Sequence, residues 1–146
     1  MKKLLALLLA LVMVLSLCAC GKMTLEEAVA KANEEISLPF VGYEIVYKGF
    51  TPEQNMYNVI YSAQFYDSND IEDEEIRVIS NTAHRINFVN SAEERCSYLY
   101  EQCCEYFDEF PDVDIAIAGV DEDGYLKFSM INGYFQYCKE EIKVFQ

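Results

Sequence analysis

The segment Asp67–Glu75 crowds oxygen-bearing side chains: Asp67, Asn69, Asp70, Glu72, Asp73, Glu74 and Glu75. Carboxylates at this density are the chemistry of calcium binding. An EF-hand loop, however, needs an oxygen ligand at its fifth position and glycine at its sixth, and Ile71 and Glu72 stand there. The run Asp121-Glu122-Asp123-Gly124 has too few ligands and reads as a turn with glycine at its left-handed position. Both stretches are expected to be solvated, and no metal is assigned.

Nucleophilic chemistry has one imidazole to draw on, His84, with Cys104 as a candidate thiol. Catalysis would require the two within hydrogen-bond reach, an orienting group and an oxyanion site, and nothing in the spacing supplies these. Cys96, Cys103, Cys104 and Cys138 show neither CxxC nor zinc-ligand spacing. Seven helical residues hold Cys96 and Cys103 about 10 Å apart, beyond bridging range. Cys103 and Cys104 are neighbours and cannot pair within a helix. Any disulfide is therefore expected to join Cys138 to Cys103 or Cys104. No catalytic residue and no cofactor is assigned; whether the chain is an enzyme stays open, and the residues lean towards binding.

Composition narrows the partners. The 146 residues carry 25 acidic and 11 basic side chains, a net charge of −14. Such a surface repels nucleic acid and anionic headgroups. Eleven tyrosines and nine phenylalanines argue against disorder despite the charge. Most tyrosines fall in the core phase of strands or beside a helix stripe, where packing is their expected role.

The chain opens on Lys2 and Lys3, then runs apolar from Leu4 to Leu17 apart from Ser16, then reads Leu17-Cys18-Ala19-Cys20-Gly21. This segment resembles the signal peptide and lipobox of bacterial lipoproteins, most closely in the style of Gram-positive membrane lipoproteins. The apolar run is shorter than the roughly 20 residues that span a bilayer. The resemblance implies cleavage of residues 1–19 and a diacylglyceryl anchor with palmitate-type chains on Cys20, which has the small Ala19 before it; Cys18 follows the bulky Leu17. It also implies an extracytoplasmic protein held to the cell membrane by lipid. Loss of Lys2 and Lys3 would leave nine basic against 25 acidic side chains, a balance of −16. Residues 20–23 would form the lipidated end and a tether reaching about 10 Å, and 24–146 a single domain.

The elements follow from spacing. Thr24 opens a capping box with Glu27, and Leu25, Ala28, Val29, Ala32 and Ile36 recur at helical intervals up to Leu38-Pro39. Val41, Tyr43, Ile45 and Tyr47 alternate with Glu44 and Lys48 as a strand, and Tyr57 to Phe65 alternate likewise. Ile76 and Val78 are read as a third strand ending near Ser80, with Asn81–Asn90 a connector. Ser91 with Glu94 opens a second helix whose stripe is Ala92, Cys96, Leu99, Cys103, Tyr106, Phe107 and Phe110, stopped by Pro111. Strands follow around Val113–Ile117 and Leu126–Met130. Asn132-Gly133 then turns the chain into a last extended segment from Tyr134 towards Phe145.

The expected fold is α+β: an antiparallel sheet of about six strands with two helices on one face, in the order αβββ-αβββ. Glu74–Ile79 echoes Glu140–Phe145, which makes an internal duplication a candidate. The helix-plus-meander plan is similar, at fold level only, to extracellular inhibitor and PepSY-type modules. The sheet face away from the helices is expected to carry Glu44, Val46, Lys48, Asn58, Ile60, Gln64, Arg77 and Lys127. Of these, Glu44, Lys48, Ile60, Gln64, Arg77 and Lys127 are the candidate binding face, with the three cations recruiting an anionic or peptide partner. The function expected is a lipid-anchored, extracytoplasmic, non-enzymatic module that binds a protein, peptide or envelope component. The alternative is a small enzyme or enzyme-modulating accessory domain.

Overall fold

Thr24 caps the first helix as its sequence implies. Its hydroxyl accepts from the Glu27 N–H at 3.2 Å, and the Glu27 carboxylate accepts from the Thr24 N–H at 2.8 Å. The computed structural model describes residues 21–145. The proposed signal segment and its lipid acceptor Cys20 lie outside the described residues. Helix α1 spans Leu25–Glu35, β1 Tyr43–Thr51 and β2 Met56–Ala63, with a single 3-10 turn at Pro52–Gln54 between the two strands. Helices α2 (Glu74–Asn90) and α3 (Ala92–Phe107) follow, then β3 (Asp114–Val120), β4 (Leu126–Ile131) and β5 (Tyr134–Tyr137).

The described chain is α+β, with three helices and one mixed sheet of five strands in the spatial order β1-β2-β3-β4-β5. All neighbours are antiparallel except β2 and β3, which run parallel from Met56/Asp114 to Ser62/Val120. A parallel pair needs a long crossover, and α2 with α3 supplies it.

The α+β class is the expected one, but the detail differs from the expected sheet of about six antiparallel strands with two helices. The segment read as a third strand and a connector is one continuous helix, α2. Asp73 caps it by accepting from the Ile76 N–H at 3.0 Å, and Glu74 and Glu75 sit in its first turn, where the helix dipole favours negative charge. The order αβββ-αβββ therefore does not hold. Glu74–Ile79 opens a helix, whereas the segment that echoes it carries an isolated bridge from Lys143 to Tyr125, so the duplication loses its basis. Ser91 stands at the α3 N-cap without a side-chain cap; its hydroxyl donates back to Asn87 Oδ1.

One core joins the helices to the inner face of the sheet. Ala28, Ala32 and Ile36 meet Ala92, Cys96, Leu99, Cys103 and Phe107 of α3 over Tyr57, Val59, Tyr61, Ile115, Ile117, Phe128 and Met130. The α3 stripe is the one its spacing predicts as far as Phe107, where the helix ends; Phe110, expected on the same face, lies beyond it and packs against the core from there. Gly119 is required here: the Phe128 ring lies so close above it that a Cβ would fall 2.0 Å from a ring carbon. A second unexpected feature is Arg95, 2% exposed yet without a carboxylate partner among the described residues. Its guanidinium stacks 4.2 Å from the centre of the Tyr43 ring and donates to the backbone carbonyls of Asn87 and Phe88 at the end of α2. A buried cation at a helix C-terminus, faced by an aromatic ring, is stabilised by both.

Strand β1 contains a bulge at Val46: Ile45 pairs with Tyr61, but Tyr47 pairs with Ile60. The extra residue reverses the side-chain phase beyond it. Tyr47, expected in the core, turns to the outer face and lies over Gly49. Lys48 turns the other way, and its ammonium donates at 2.7 Å to the carbonyl of Ile36, the α1 C-cap.

Candidate functional site: the outer sheet face and its acidic end

Among the described residues, the helices leave one sheet face uncovered. Strand register places on it Tyr47 of β1, Asn58, Ile60 and Ser62 of β2, Ala116 and Ala118 of β3, Ser129 and Ile131 of β4, and Tyr134 and Gln136 of β5. Its centre is low, because Ala118 lies between Ile60 and Ser129. Its two edges carry tyrosines, Tyr47 at 40% and Tyr134 at 83% exposure. Four inter-strand spacings put β1 and β5 about 19 Å apart. The result is a shallow, small-residue floor between aromatic rims.

One end of this face opens into a cleft of about 760 Å³. It sits at the carboxyl ends of the parallel pair β2 and β3. Glu44, Gln64, Asp70 and the turn Asp121–Gly124 line it, with Val46, Ser62, Lys143 and Phe145. The two acidic stretches that stood apart in sequence thus meet here through Asp70 and Asp121–Asp123.

Part of this charge is internally satisfied. Lys127 Nζ lies 2.8 Å from Asp121 Oδ2, and Arg85 Nε 2.8 Å from Glu122 Oε1. Partial burial works to raise the Asp121 carboxyl. The Lys127 ammonium and the backbone N–H groups of Tyr125 and Asp123 outweigh it and hold that carboxyl below the ordinary range. Glu44 accepts from Gln64 Nε2 at 2.8 Å. Asp67 is spent on its own loop: the backbone N–H groups of Asn69 and Asp70 bond its carboxylate and lower its pKa. Among the described residues no three His, Cys, Asp or Glu side chains are placed to hold a metal ion.

Of the six residues expected to form a binding face, Ile60 lies on the outer face and Glu44 and Gln64 line the cleft. The cations do not assemble there. The bulge sends Lys48 to the α1 C-terminus. Arg77 belongs to α2 and pairs with Glu74 one turn away. Lys127 is the extra residue of a second bulge, opposite Gly119–Val120, and turns to Asp121. The expected cationic island is therefore replaced by carboxylates. Sequence reasoning also missed Tyr47, Tyr134, Ala116 and Ala118. Only Tyr134 carried a readable signal, since Asn132-Gly133 fixes the β4–β5 turn, with Gly133 at φ 82°.

The four described cysteines are free thiols, and the possible bridge from Cys138 to Cys103 or Cys104 is not formed. Cys103 is sealed in the core, Cys104 lies beside Tyr100, and the Cys138 thiol donates to the carbonyl of Glu140. Burial pushes Cys96 up to about 11 and Cys103 up to about 12, so neither thiol ionises near neutrality. His84 packs among Tyr43, Phe65 and Tyr66 above Gly42, with no thiol among these neighbours.

The chain matches no protein-family model, no curated protein and no solved structure. Its functional reading therefore rests on geometry.

Proposed function

We propose that this chain is an extracytoplasmic lipoprotein, tethered through Cys20, whose outer sheet face and acidic cleft bind a protein or peptide partner with basic side chains. The uncovered face carries the proposal: five strands expose a level floor flanked by tyrosines, and it ends in carboxylates. Tyrosines suit such surfaces because they offer large amphipathic contact area at small entropic cost. The carboxylates reverse the partner chemistry expected from Lys48, Arg77 and Lys127: a cationic segment, not an anionic one, complements this end.

The position of the tether supports the same reading. Met23 lines one small cavity with Tyr106 and Phe110, at the C-terminal end of α3. From there β3 runs seven residues, Asp114 to Val120, to the cleft, a distance of about 23 Å. An anchored domain would thus present its acidic end away from the bilayer.

The test has two parts. Mass spectrometry of the protein from its native membrane should find Cys20 as a diacylglyceryl-modified N-terminus; an intact Met1 would sink the anchoring claim. Cross-linked envelope pull-downs should then compare the unchanged chain with Ala118→Arg, which raises the floor, and with Glu44→Lys plus Asp123→Lys. Both variants should lose the recovered partner, and recovery from the unchanged chain should fall as salt rises. Equal recovery by both variants, with folding intact, would refute the site.

A further inference from the structure

Helix α2 is amphipathic in the wrong direction. Its inward stripe is Arg77, Ser80, Asn81, His84 and Phe88, of which only Asn81 and Phe88 are buried. Asn81 is held by a reciprocal pair of hydrogen bonds with the Tyr66 backbone, at 2.8 and 2.9 Å. The apolar side chains point out. Ile79 is 61% and Ile86 57% exposed, and Ile76, Val78 and Val89 are exposed with them. A lone exposed apolar side chain needs no explanation, but five on one 17-residue helix do. Together with Thr82 and Ala83 they present about 500 Å² per chain, the size at which exposed patches mark interaction sites.

Charge and spacing specify what covers this patch. Between Ile76 and Asn90 there is no carboxylate, in a chain that has 25. The two arginines of the helix are already paired, Arg77 with Glu74 and Arg85 with Glu122. The face is thus free of carboxylates from Ile76 to Asn90 on a strongly acidic molecule, and a second copy would meet opposed charge only at its ends, where the exposed Glu75 lies one turn before Ile79. The side-chain order is also its own complement. When two α2 helices run antiparallel about a two-fold axis at Thr82–Ala83, Ile79 of each meets Ile86 of the other, and Ile76 meets Val89. The small Thr82 and Ala83 at the crossing let the backbones come close. Residue i contacting j while j contacts i is the signature of an isologous interface.

We infer that α2 is a self-association surface, through which two copies of this chain pair antiparallel across Ile76, Ile79, Ile86 and Val89. The patch buries about 1,000 Å² over both copies, below the standard size of stable complexes and within the range of weak ones. The dimer therefore forms where the chain is concentrated, and confinement to a membrane surface would raise its effective concentration. That last clause, and the exclusion of the bilayer that follows, rest on the proposed anchor. The bilayer itself is a poorer occupant. Helix α2 packs beside Gly42 and Glu122, at the cleft end of the sheet, whereas Met23 lies at the opposite end.

The experiment is thiol cross-linking of the full chain in intact expressing cells, read in whichever cell fraction the chain is recovered from, so that a missing anchor changes the fraction and not the adduct. Ala83→Cys places a thiol beside the two-fold axis, and a short bis-maleimide should convert it to an adduct of twice the chain mass. The unchanged chain, and a control with Glu26→Cys on α1, should give at least tenfold less. Adding Ile79→Glu and Ile86→Glu should remove most of the Ala83→Cys adduct, while Cys96 and Cys103 stay protected from maleimide as a folding check. A milder pair, Ile79→Thr with Ile86→Thr, keeps the β-branched shape and should also reduce the adduct. The inference is overturned if Ala83→Cys gives no more adduct than the controls. It is also overturned if the adduct survives both pairs of substitutions, or if its mass is that of a different partner.

Discussion

Replacing Arg95 with alanine should be among the most destabilising single changes in this domain. Three losses combine. The Phe88 carbonyl loses the guanidinium and is left buried without that donor, a cost of about 1–3 kcal/mol. The stacking on Tyr43 at 4.2 Å disappears, worth about 1–2 kcal/mol for a desolvated cation. The positive charge at the end of α2 is lost as well, worth up to about 2 kcal/mol in a buried setting. One term opposes these: Arg95 Nε is buried without a partner, and its removal returns part of a desolvation cost. The net expectation is a loss of about 3–5 kcal/mol. Arg95→Lys keeps the charge but neither the flat stacking nor the forked donation, and should lose about half as much. Urea denaturation of residues 21–146, followed by tyrosine fluorescence and circular dichroism, measures both variants. An Arg95→Ala unfolding free energy within about 0.5 kcal/mol of the unchanged domain would refute the reasoning. Arg95→Lys equal to the unchanged domain would show that charge alone matters.

Two further outcomes are expected. In the folded domain Cys104 and Cys138 should react with maleimide within minutes, whereas Cys96 and Cys103 should stay protected until denaturant is added; peptide mapping distinguishes them. Asp121 has a folded pKa below its unfolded value, so its contribution is full above the ordinary carboxylate range, near pH 4, and is lost as pH falls through the folded value. Asp121→Asn should therefore lower stability at neutral pH and flatten the acid limb of a stability–pH curve. An unchanged acid limb would show that the Lys127 contact is not maintained in solution.

The pattern of success and failure in the sequence reading has physical causes. The α3 stripe and the alternation in β2 were legible because there the apolar period faces the core, and the α1 capping box and the Asn132-Gly133 turn because each is a local signal of side-chain capping or left-handed backbone. Helix α2 was not legible for the opposite reason. Its inward residues Arg77, Asn81 and His84 are polar, its isoleucines face solvent, and a search for a buried apolar stripe finds none. The bulge at Val46 leaves no trace in composition, since Val46 and Tyr47 suit either face; its cost was the misplacement of Tyr47 and Lys48. Arg95 was overlooked because a cation within an apolar stripe is ordinarily at the surface. Of the candidate site, Glu44, Ile60 and Gln64 were legible from strand alternation alone. The joining of Asp70 to Asp121–Asp123 depends on the parallel pairing of β2 with β3, which no local pattern encodes.

That parallel seam also divides the molecule by order of assembly. Strands β1 and β2 are joined by one short turn, and β3, β4 and β5 form a meander with tight connections. Each group can pair through nearby residues at small entropic cost. The seam between them is different: Tyr57 must find Ile115 and Ser62 must find Val120, partners 58 positions apart in the chain in each case. Loop closure over that distance is slow, and it requires α2 and α3 to be folded back onto the sheet. The hairpin and the meander are thus expected to form early and to dock late. The residues at the seam, Val59 and Ile117 above all, should slow folding more than unfolding accelerates when truncated if their docking is the rate-limiting event.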